Sequence, residues 1–305
     1  MFFVIFFRKK RSYEAGYEIE VKNNLEKESQ VFLVAPLPAQ TKQQGLKSEI
    51  IFEPNNCQIK TDRVFGNQYV VWPFNLHAGE TTLCRFLFMA EVAPIKTVLL
   101  KSFQLSDYGQ QVKTDRTLFT PNRFIQYENE KIRTLARQVI GQEKNLKNIL
   151  NRLNNFVISQ LNYGQPIAGL YSAQEAWKNK TTDCGGFSSL LIALCLAVGI
   201  PARLVVGFWA GYNKNEMHAW VEIMLPNGQW LPADPAVEKL KQQGRTKKRG
   251  RLGFVANDRI IFSYGCDIPL EIGGQEKQAD ILQNPLVFPK NGSGSCSAKV
   301  EFKTL

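Results

Sequence analysis

Apolar and polar residues along this chain follow two periods, and the changes between them divide it. From about Tyr13 to Val98 the period is two. Tyr17-Glu18-Ile19-Glu20-Val21-Lys22 alternates as a half-buried strand should. Val31-Phe32-Leu33-Val34, Ile50-Ile51-Phe52, Tyr69-Val70-Val71-Trp72 and Leu83-Cys84-Arg85-Phe86-Leu87-Phe88 continue the series. Turn residues separate them: Asn23-Asn24, Pro54-Asn55-Asn56, Gly66-Asn67 and Ala78-Gly79. Short strands at this spacing predict a β-sandwich.

Between Lys101 and Pro121 the pattern loosens, and the period then becomes helical. Ile132, Leu135, Ala136, Val139 and Ile140 share one face of a helix that Gly141 ends. Leu146, Ile149, Leu150, Leu153, Phe156, Val157 and Leu161 mark a second, broken by Asn162-Tyr163-Gly164. Ser172-Ala173-Gln174-Glu175 has the form of a capping box before a short helix that holds Trp177. Leu190, Leu191, Leu194 and Val198 define the next helix, with Gly199 and Pro201 as its stop. After Pro201 the period returns to two, through Arg203 to Trp209, Met217 to Leu225 and Trp230 to Pro235. Further strands are expected from Leu252 to Cys266 and from Ile268 to Ile272.

The fold class is therefore α+β: helices packed on an antiparallel sheet, preceded by a β-sandwich. The expected layout is a tail at 1–12, the sandwich at 13–105, a second domain at 106–275 and an extension at 276–305. A chain of 305 residues, 44% of them hydrophobic, is long enough for two cores.

Charge adds a partner class. The net charge is +11, and much of the excess sits in Arg8-Lys9-Lys10-Arg11 and in the loop 245–251. An acidic polymer or surface fits that loop. No aromatic residue interleaves with it, which argues against specific nucleic-acid binding. The opening Met1-Phe2-Phe3-Val4-Ile5-Phe6-Phe7 is far short of the roughly 20 apolar residues of a spanning helix. Its charges follow the apolar run, whereas a signal peptide carries them before it. No other stretch is long and apolar enough to span a bilayer. The chain reads as cytoplasmic, with a truncated signal or anchor as the alternative.

Chemistry centres on Cys184. The polar run Thr181-Thr182-Asp183 leads into it and an apolar helix follows, so the cysteine sits at a helix start. Free N–H groups and the helix dipole favour a thiolate there. Its five companions, Cys57, Cys84, Cys195, Cys266 and Cys296, are scattered without a C-x-x-C pair. With only His77 and His218 besides, neither a zinc site nor a cofactor is indicated. Cys57, Cys84 and Cys195 read as structural, and His77 as an exposed loop residue.

A cysteine nucleophile needs a base, and the base an orienting group. His218 is the one histidine of this half of the chain. On its strand it shares a face with Trp220 and Glu222, opposite Met217, Ala219, Val221, Ile223 and Leu225, and is expected to face the Cys184 helix. Asp234 lies on the returning strand. A two-residue turn at Asn227-Gly228 would point Asp234 away from His218, whereas a three-residue loop would bring it to the histidine's face. A Cys184-His218-Asp234 triad thus predicts an odd loop or a bulge in this hairpin.

At Asp183-Cys184-Gly185-Gly186-Phe187-Ser188-Ser189-Leu190-Leu191, Val198-Gly199-Ile200-Pro201-Ala202-Arg203, His218-Ala219-Trp220-Val221-Glu222 and Trp230-Leu231-Pro232-Ala233-Asp234-Pro235, order and spacing resemble the transglutaminase-like superfamily. The resemblance covers about Tyr127 to Asp267, and the sandwich resembles a domain that often precedes this module in bacterial members. It implies a papain-like fold, a triad of Cys184, His218 and Asp234, and acyl transfer on amides. The substrate would be a protein or peptide, and the outcome hydrolysis, deamidation or transfer to an amine. A module on the same fold that binds without turnover is the alternative.

The N–H of Cys184 would supply one oxyanion donor. Trp177, Gln174 and Tyr163 are candidates for the second, and Trp220 and Trp230 for cleft walls. Arg203 is read either as a substrate-carboxylate ligand or as half of an ion pair.

Overall fold

The computed structural model describes residues 10–304 except 101, 110–111, 113–117, 120, 215 and 291–293, and describes residues 295–304 by backbone alone. The tail 1–9 and the side chain of Cys296 lie outside the described residues. In chain order, β1 (Arg11–Asn23), β2 (Ser29–Pro36), β3 (Gln44–Leu46), β4 (Ile51–Glu53), β5 (Gln58–Thr61), β6 (Gln68–Leu76), β7 (Thr81–Val92) and β8 (Ile95–Lys96) come first. Three helices follow: α1 (Glu130–Ile140), α2 (Leu146–Gln160) and, after β9 (Asn162–Tyr163), α3 (Ala173–Asn179). Then come β10 (Thr181–Thr182), α4 (Cys184–Ala197), β11 (Ala202–Trp209), β12 (Met217–Met224), β13 (Trp230–Ala233) and α5 (Pro235–Gln242). The remaining strands are β14 (Gly250–Arg251), β15 (Phe254–Val255), β16 (Arg259–Tyr264), β17 (Ile268–Ile272), β18 (Gln275–Ala279), β19 (Leu286–Pro289) and β20 (Gly294–Thr304).

The N-terminal strands form the expected sandwich. One sheet runs β20-β1-β7 with β3 and β4 on β7, and the other runs β19-β2-β6-β5. Period-two patterning produces the core directly. On β7, Cys84, Phe86, Phe88, Ala90 and Val92 are buried while Leu83, Arg85, Leu87 and Met89 are exposed. The inward residues meet Tyr13, Tyr17, Val31, Leu33 and Trp72 of the other strands in a shared core.

Both sheets take an edge strand from the C-terminus. β20 pairs with β1, and β19 pairs with β2. The segment 276–305, expected as an extension, therefore supplies strands to the first part of the molecule. Sequence patterning identifies a strand but not its neighbour, so this return was not visible in it.

The second layer system is a four-stranded sheet, β13-β12-β11-β16, with helices against one face. α4 is apolar all round, and every residue from Gly185 to Leu196 is buried. Such a helix belongs inside a core, not on its surface. It packs with Ala219, Val221 and Ile223 of β12, with Leu225 just beyond it, and with Leu150, Leu153 and Val157 of α2. Burying each of these Leu, Ile or Val side chains is worth about 1.5–3 kcal/mol. Farther along the sheet, β11 and β16 contribute Phe208, Ile260 and Phe262 to the sandwich core, which joins the two parts of the chain.

Among the described residues no helix is long and apolar enough to cross a membrane.

Candidate active site

Asp183 is the N-cap of α4, and its Oδ1 accepts from the Gly186 N–H at 3.2 Å. Its Oδ2 accepts from the Ile167 N–H at 3.2 Å. Capping places Cys184 in the first helical turn, where a backbone N–H has no intrahelical acceptor. Gly186 is required here, because a Cβ at that position would run into the Thr182 side chain.

The helix start meets β12 where the sheet opens. β13 ends at Ala233, opposite Val221, so no ladder partner continues past Ala219 on that side. There the Ala219 N–H donates to the Cys184 thiol, as does the Gly185 N–H. Both bonds favour a thiolate. Burial and the neighbouring Asp183 charge nevertheless push the thiol up to about 12. A helix start alone would have predicted a lowered thiol. Enclosure outweighs the dipole, and Cys184 is protonated at neutral pH.

His218 is buried on the face of β12 opposite α4. This corrects the expectation that it faces the Cys184 helix: the helix is wholly apolar and takes the apolar face of the strand. The thiol and the imidazole instead line one cleft, which Cys184 enters from the open edge at Ala219. The imidazole lies against Trp209 at 4.3 Å and stacks on Trp220 at 5.8 Å, centroid to centroid. Burial lowers its pKa, an effect that Asp234 partly offsets. The backbone of His218 is fixed as well, since its carbonyl accepts from Gln283 Nε2 at 3.1 Å.

The hairpin has an odd loop. Met224 pairs with Trp230, and the Leu225 N–H donates to the Gln229 carbonyl, which leaves Pro226-Asn227-Gly228 as a three-residue loop. Asp234 then falls opposite Trp220, on the histidine's side of the sheet. Its Oδ2 lies 2.9 Å from His218 Nε2, while its Oδ1 caps α5 by accepting from the Val237 N–H at 3.1 Å. With Nε2 engaged, Nδ1 is the nitrogen left for the thiol. Gly250 permits this packing, because a Cβ there would lie 2.6 Å from Asp234 Oδ2.

Sequence reasoning missed a fourth member. Arg259, 2% exposed, donates through Nη1 to Asp234 Oδ2 at 2.6 Å. Its Nη2 reaches the Arg249 carbonyl at 2.7 Å and its Nε reaches Asp258 Oδ1 at 3.3 Å. The guanidinium lies over Trp209 at 4.1 Å and faces Trp220 at 5.3 Å. Burial alone would raise the Asp234 carboxyl; His218 and Arg259 together bring it down to about 2. An arginine at the start of a strand had no motif around it to single it out.

The structure divides the remaining candidates. Tyr163 lines the cleft with Cys184 and His218, held there because β9 pairs in parallel with β10, just before Asp183. Burial raises its phenol first, and the Cys184 and Asp183 charges add to that, so the hydroxyl keeps its proton. Trp177 and Gln174 line a separate groove with Arg123 and Lys131, and the Trp177 ring packs on Phe156 at 5.5 Å. Neither residue is among those lining the cleft that holds Cys184. Trp220 lies buried beneath His218 rather than at the cleft surface. Arg203 is half of an ion pair, with Nη2 2.6 Å from Glu222 Oε2 and its guanidinium between Trp230 at 4.0 Å and Tyr264 at 3.9 Å. Cys195 is fully buried in the helical core.

Iodoacetamide is expected to label Cys184 at least tenfold faster than the fully enclosed Cys195, with a rate that rises with pH. Peptide mapping after timed quenching reads both sites, and equal rates would remove Cys184 as a nucleophile.

Residues 133–235 match the Transglutaminase-like superfamily, a span that holds Cys184, His218 and Asp234. The uncharacterized protein YebA of Bacillus subtilis (strain 168) is 26% identical over 231 residues. That match takes in 61% of this chain and 31% of YebA, so the chain spans about a third of that relative's length. A crystal structure of a candidate cysteine protease from Cytophaga hutchinsonii has a TM-score of 0.68 at 16% identity, over 97% of this chain and 91% of that one. At that identity the likeness is one of fold, and it includes the sandwich. The periplasmic domain of TgpA from Pseudomonas aeruginosa is matched over 75% of this chain and 92% of that one, with a TM-score of 0.37 and 13% identity. The segment 133–235 is thus the part of this chain that is similar to the transglutaminase-like superfamily.

Proposed function

We propose that the protein is a cysteine-dependent acyl-transfer enzyme acting on peptide or glutamine-type amides, with Cys184 as nucleophile, His218 as base and Asp234 as orienter. The observation that carries this reading is the 2.9 Å contact from His218 Nε2 to Asp234 Oδ2 at the wall of the cleft that holds the Cys184 thiol.

Thiol and imidazole are both neutral at rest, so the proton moves as the sulfur attacks. The Cys184 sulfur forms a bond to the amide carbon, and its proton passes to His218 Nδ1. The imidazolium so formed is stabilised by Asp234. Negative charge on the carbonyl oxygen is met by the Cys184 N–H and the Tyr163 hydroxyl. One such donor is worth about 3 kcal/mol of barrier. His218 then returns the proton to the leaving amine, and the C–N bond breaks. Water or a second amine attacks the thioester and restores the thiol.

The test is mass spectrometry of a peptide pool incubated with the protein and a lysine analogue, against Cys184→Ala. Cleavage, a gain of about 1 Da by deamidation, or incorporation of the amine would each name the reaction and should vanish in the variant. Identical spectra for the two proteins would leave the silent binding module as the function.

A further inference from the structure

The basic loop is part of the cleft. Arg245, Thr246 and Lys248 line an arm of about 1060 Å³ together with His218, Trp209 and Leu240. That is at the upper end of small-ligand sites and enough for several peptide residues. Cys184 is not among the described residues lining this arm. It lines the other arm, of about 540 Å³, whose walls include Ile167, Leu286 and Phe288. Only His218, Met217, Tyr163, Pro166 and Asn284 belong to both. The cleft thus carries the acidic residues Asp183 and Asp280 on the sulfur side and basic side chains on the far side of the histidine.

Charges in the basic arm are few and can be enumerated. Lys248 Nζ pairs with Glu216 Oε2 at 2.9 Å and lies over Trp209 at 4.4 Å. Arg245 Nη1 donates to the Tyr163 carbonyl at 3.3 Å and to Gln243 Oε1 at 3.1 Å. Both of these acceptors are neutral, so the Arg245 charge is not offset by either. Glu216 is the arm's one acidic side chain among the described residues, and Lys248 is on it.

Chemistry assigns the two arms to the two halves of the substrate. The acyl half becomes bonded to Cys184 and stays on the sulfur side. The leaving amine takes its proton from His218 and departs on the histidine's far side. Resting on the acyl-transfer reading above, we infer that the basic arm binds the leaving-amine half and selects peptides that carry a carboxylate there, held by Arg245 with Lys248. The same charge disfavours a lysine chain entering as acceptor, so water is the acceptor this arm suits.

Three peptides identical except for Glu, Gln or Lys next to the scissile amide on its leaving side test this. Cleavage by the wild type and binding to Cys184→Ala are measured in parallel. The Glu peptide is expected to exceed Gln by about fivefold to tenfold in kcat/KM and in affinity, with Lys weakest and the preference shrinking as salt rises. Arg245→Gln should bring Glu and Gln level, and Arg245→Glu should favour Lys; Arg245 is exposed, so folding is not at stake. Equal use of all three peptides, preference for Lys, or a Glu preference that survives Arg245→Gln would overturn the inference. Absence of turnover with the binding order intact would refute the acyl-transfer reading while leaving the carboxylate site standing.

Discussion

Asp234→Asn is expected to lower kcat/KM about a thousandfold, because a neutral amide cannot replace what both carboxylate oxygens do. Oδ2 accepts from His218 Nε2 and Arg259 Nη1, and Oδ1 accepts from the Val237 N–H. Asparagine has one acceptor oxygen for these three donors. Turning its amide nitrogen toward His218 and Arg259 would oppose two donors with a third in a buried site, at about 1–3 kcal/mol each. Turning it toward Val237 costs only the helix cap, about 1 kcal/mol. The second orientation wins, so the imidazole keeps its tautomer. What is lost is charge. The imidazolium would then form beside the buried Arg259 cation with no carboxylate to balance it. Asp234 also holds the His218 pKa up, so the acid limb of the rate profile should move to lower pH in the variant. Measuring kcat/KM from pH 4 to 8 checks both effects. A variant within tenfold of wild type, with its acid limb unmoved, would make Asp234 a helix cap and nothing more.

Arg259→Gln is expected to cost about 3–5 kcal/mol of stability, the price of leaving one partner of a buried ion pair without the other. Three hydrogen bonds converge on its guanidinium, and two indole rings face it. Its loss also changes the response to acid. Asp234 sits at about 2, below its ordinary 3.8, so its contribution is complete above 3.8 and is lost as pH falls toward 2. Without Arg259 the carboxyl rises toward its ordinary value, so the variant has less of this contribution to lose as pH falls. His218 adds to the same trend, because Arg259 also helps to lower its pKa and removing that charge lets it rise. Its pKa lies below 6.5, so the unfolded chain takes up more protons beneath that pH and stability falls there. Urea midpoints at pH 7 and pH 4.5 would show the variant weakened at both, and by less at the lower pH. Arg259→Lys should be intermediate, keeping the charge without the planar fork. A wild-type midpoint for Arg259→Gln would show that Asp234 does not depend on it.

The features legible in the sequence share one physical basis: they depend on residues close in the chain. Alternation on Thr81 to Val92 gave the inner face of β7, and helical spacing gave the buried α4. Sequence also limited Asp234 to one of two sides of the sheet, according to whether the hairpin loop is even or odd, and the structure holds the odd loop. Each follows from backbone geometry over fewer than about 15 residues, where period and turn length leave little choice.

Contacts between distant segments had no such signal. Nothing around Arg259 announces that it will meet Asp234, and nothing in the basic loop announces that Arg245 will reach the carbonyl of Tyr163. Gln283 lies in a segment expected as an extension and holds the backbone of His218. Cys184 illustrates the division. Its place at a helix start was set by Asp183, Gly185, Gly186 and the apolar run behind them. Its protonation was decided by enclosure among groups brought from elsewhere, since desolvation is a property of packing and not of sequence neighbours. Sequence alone determined the two layers of the fold and the identity of three candidate residues. Tertiary structure alone decided their electrostatics, the fourth member that braces them, and the unequal arms of the cleft between which they stand.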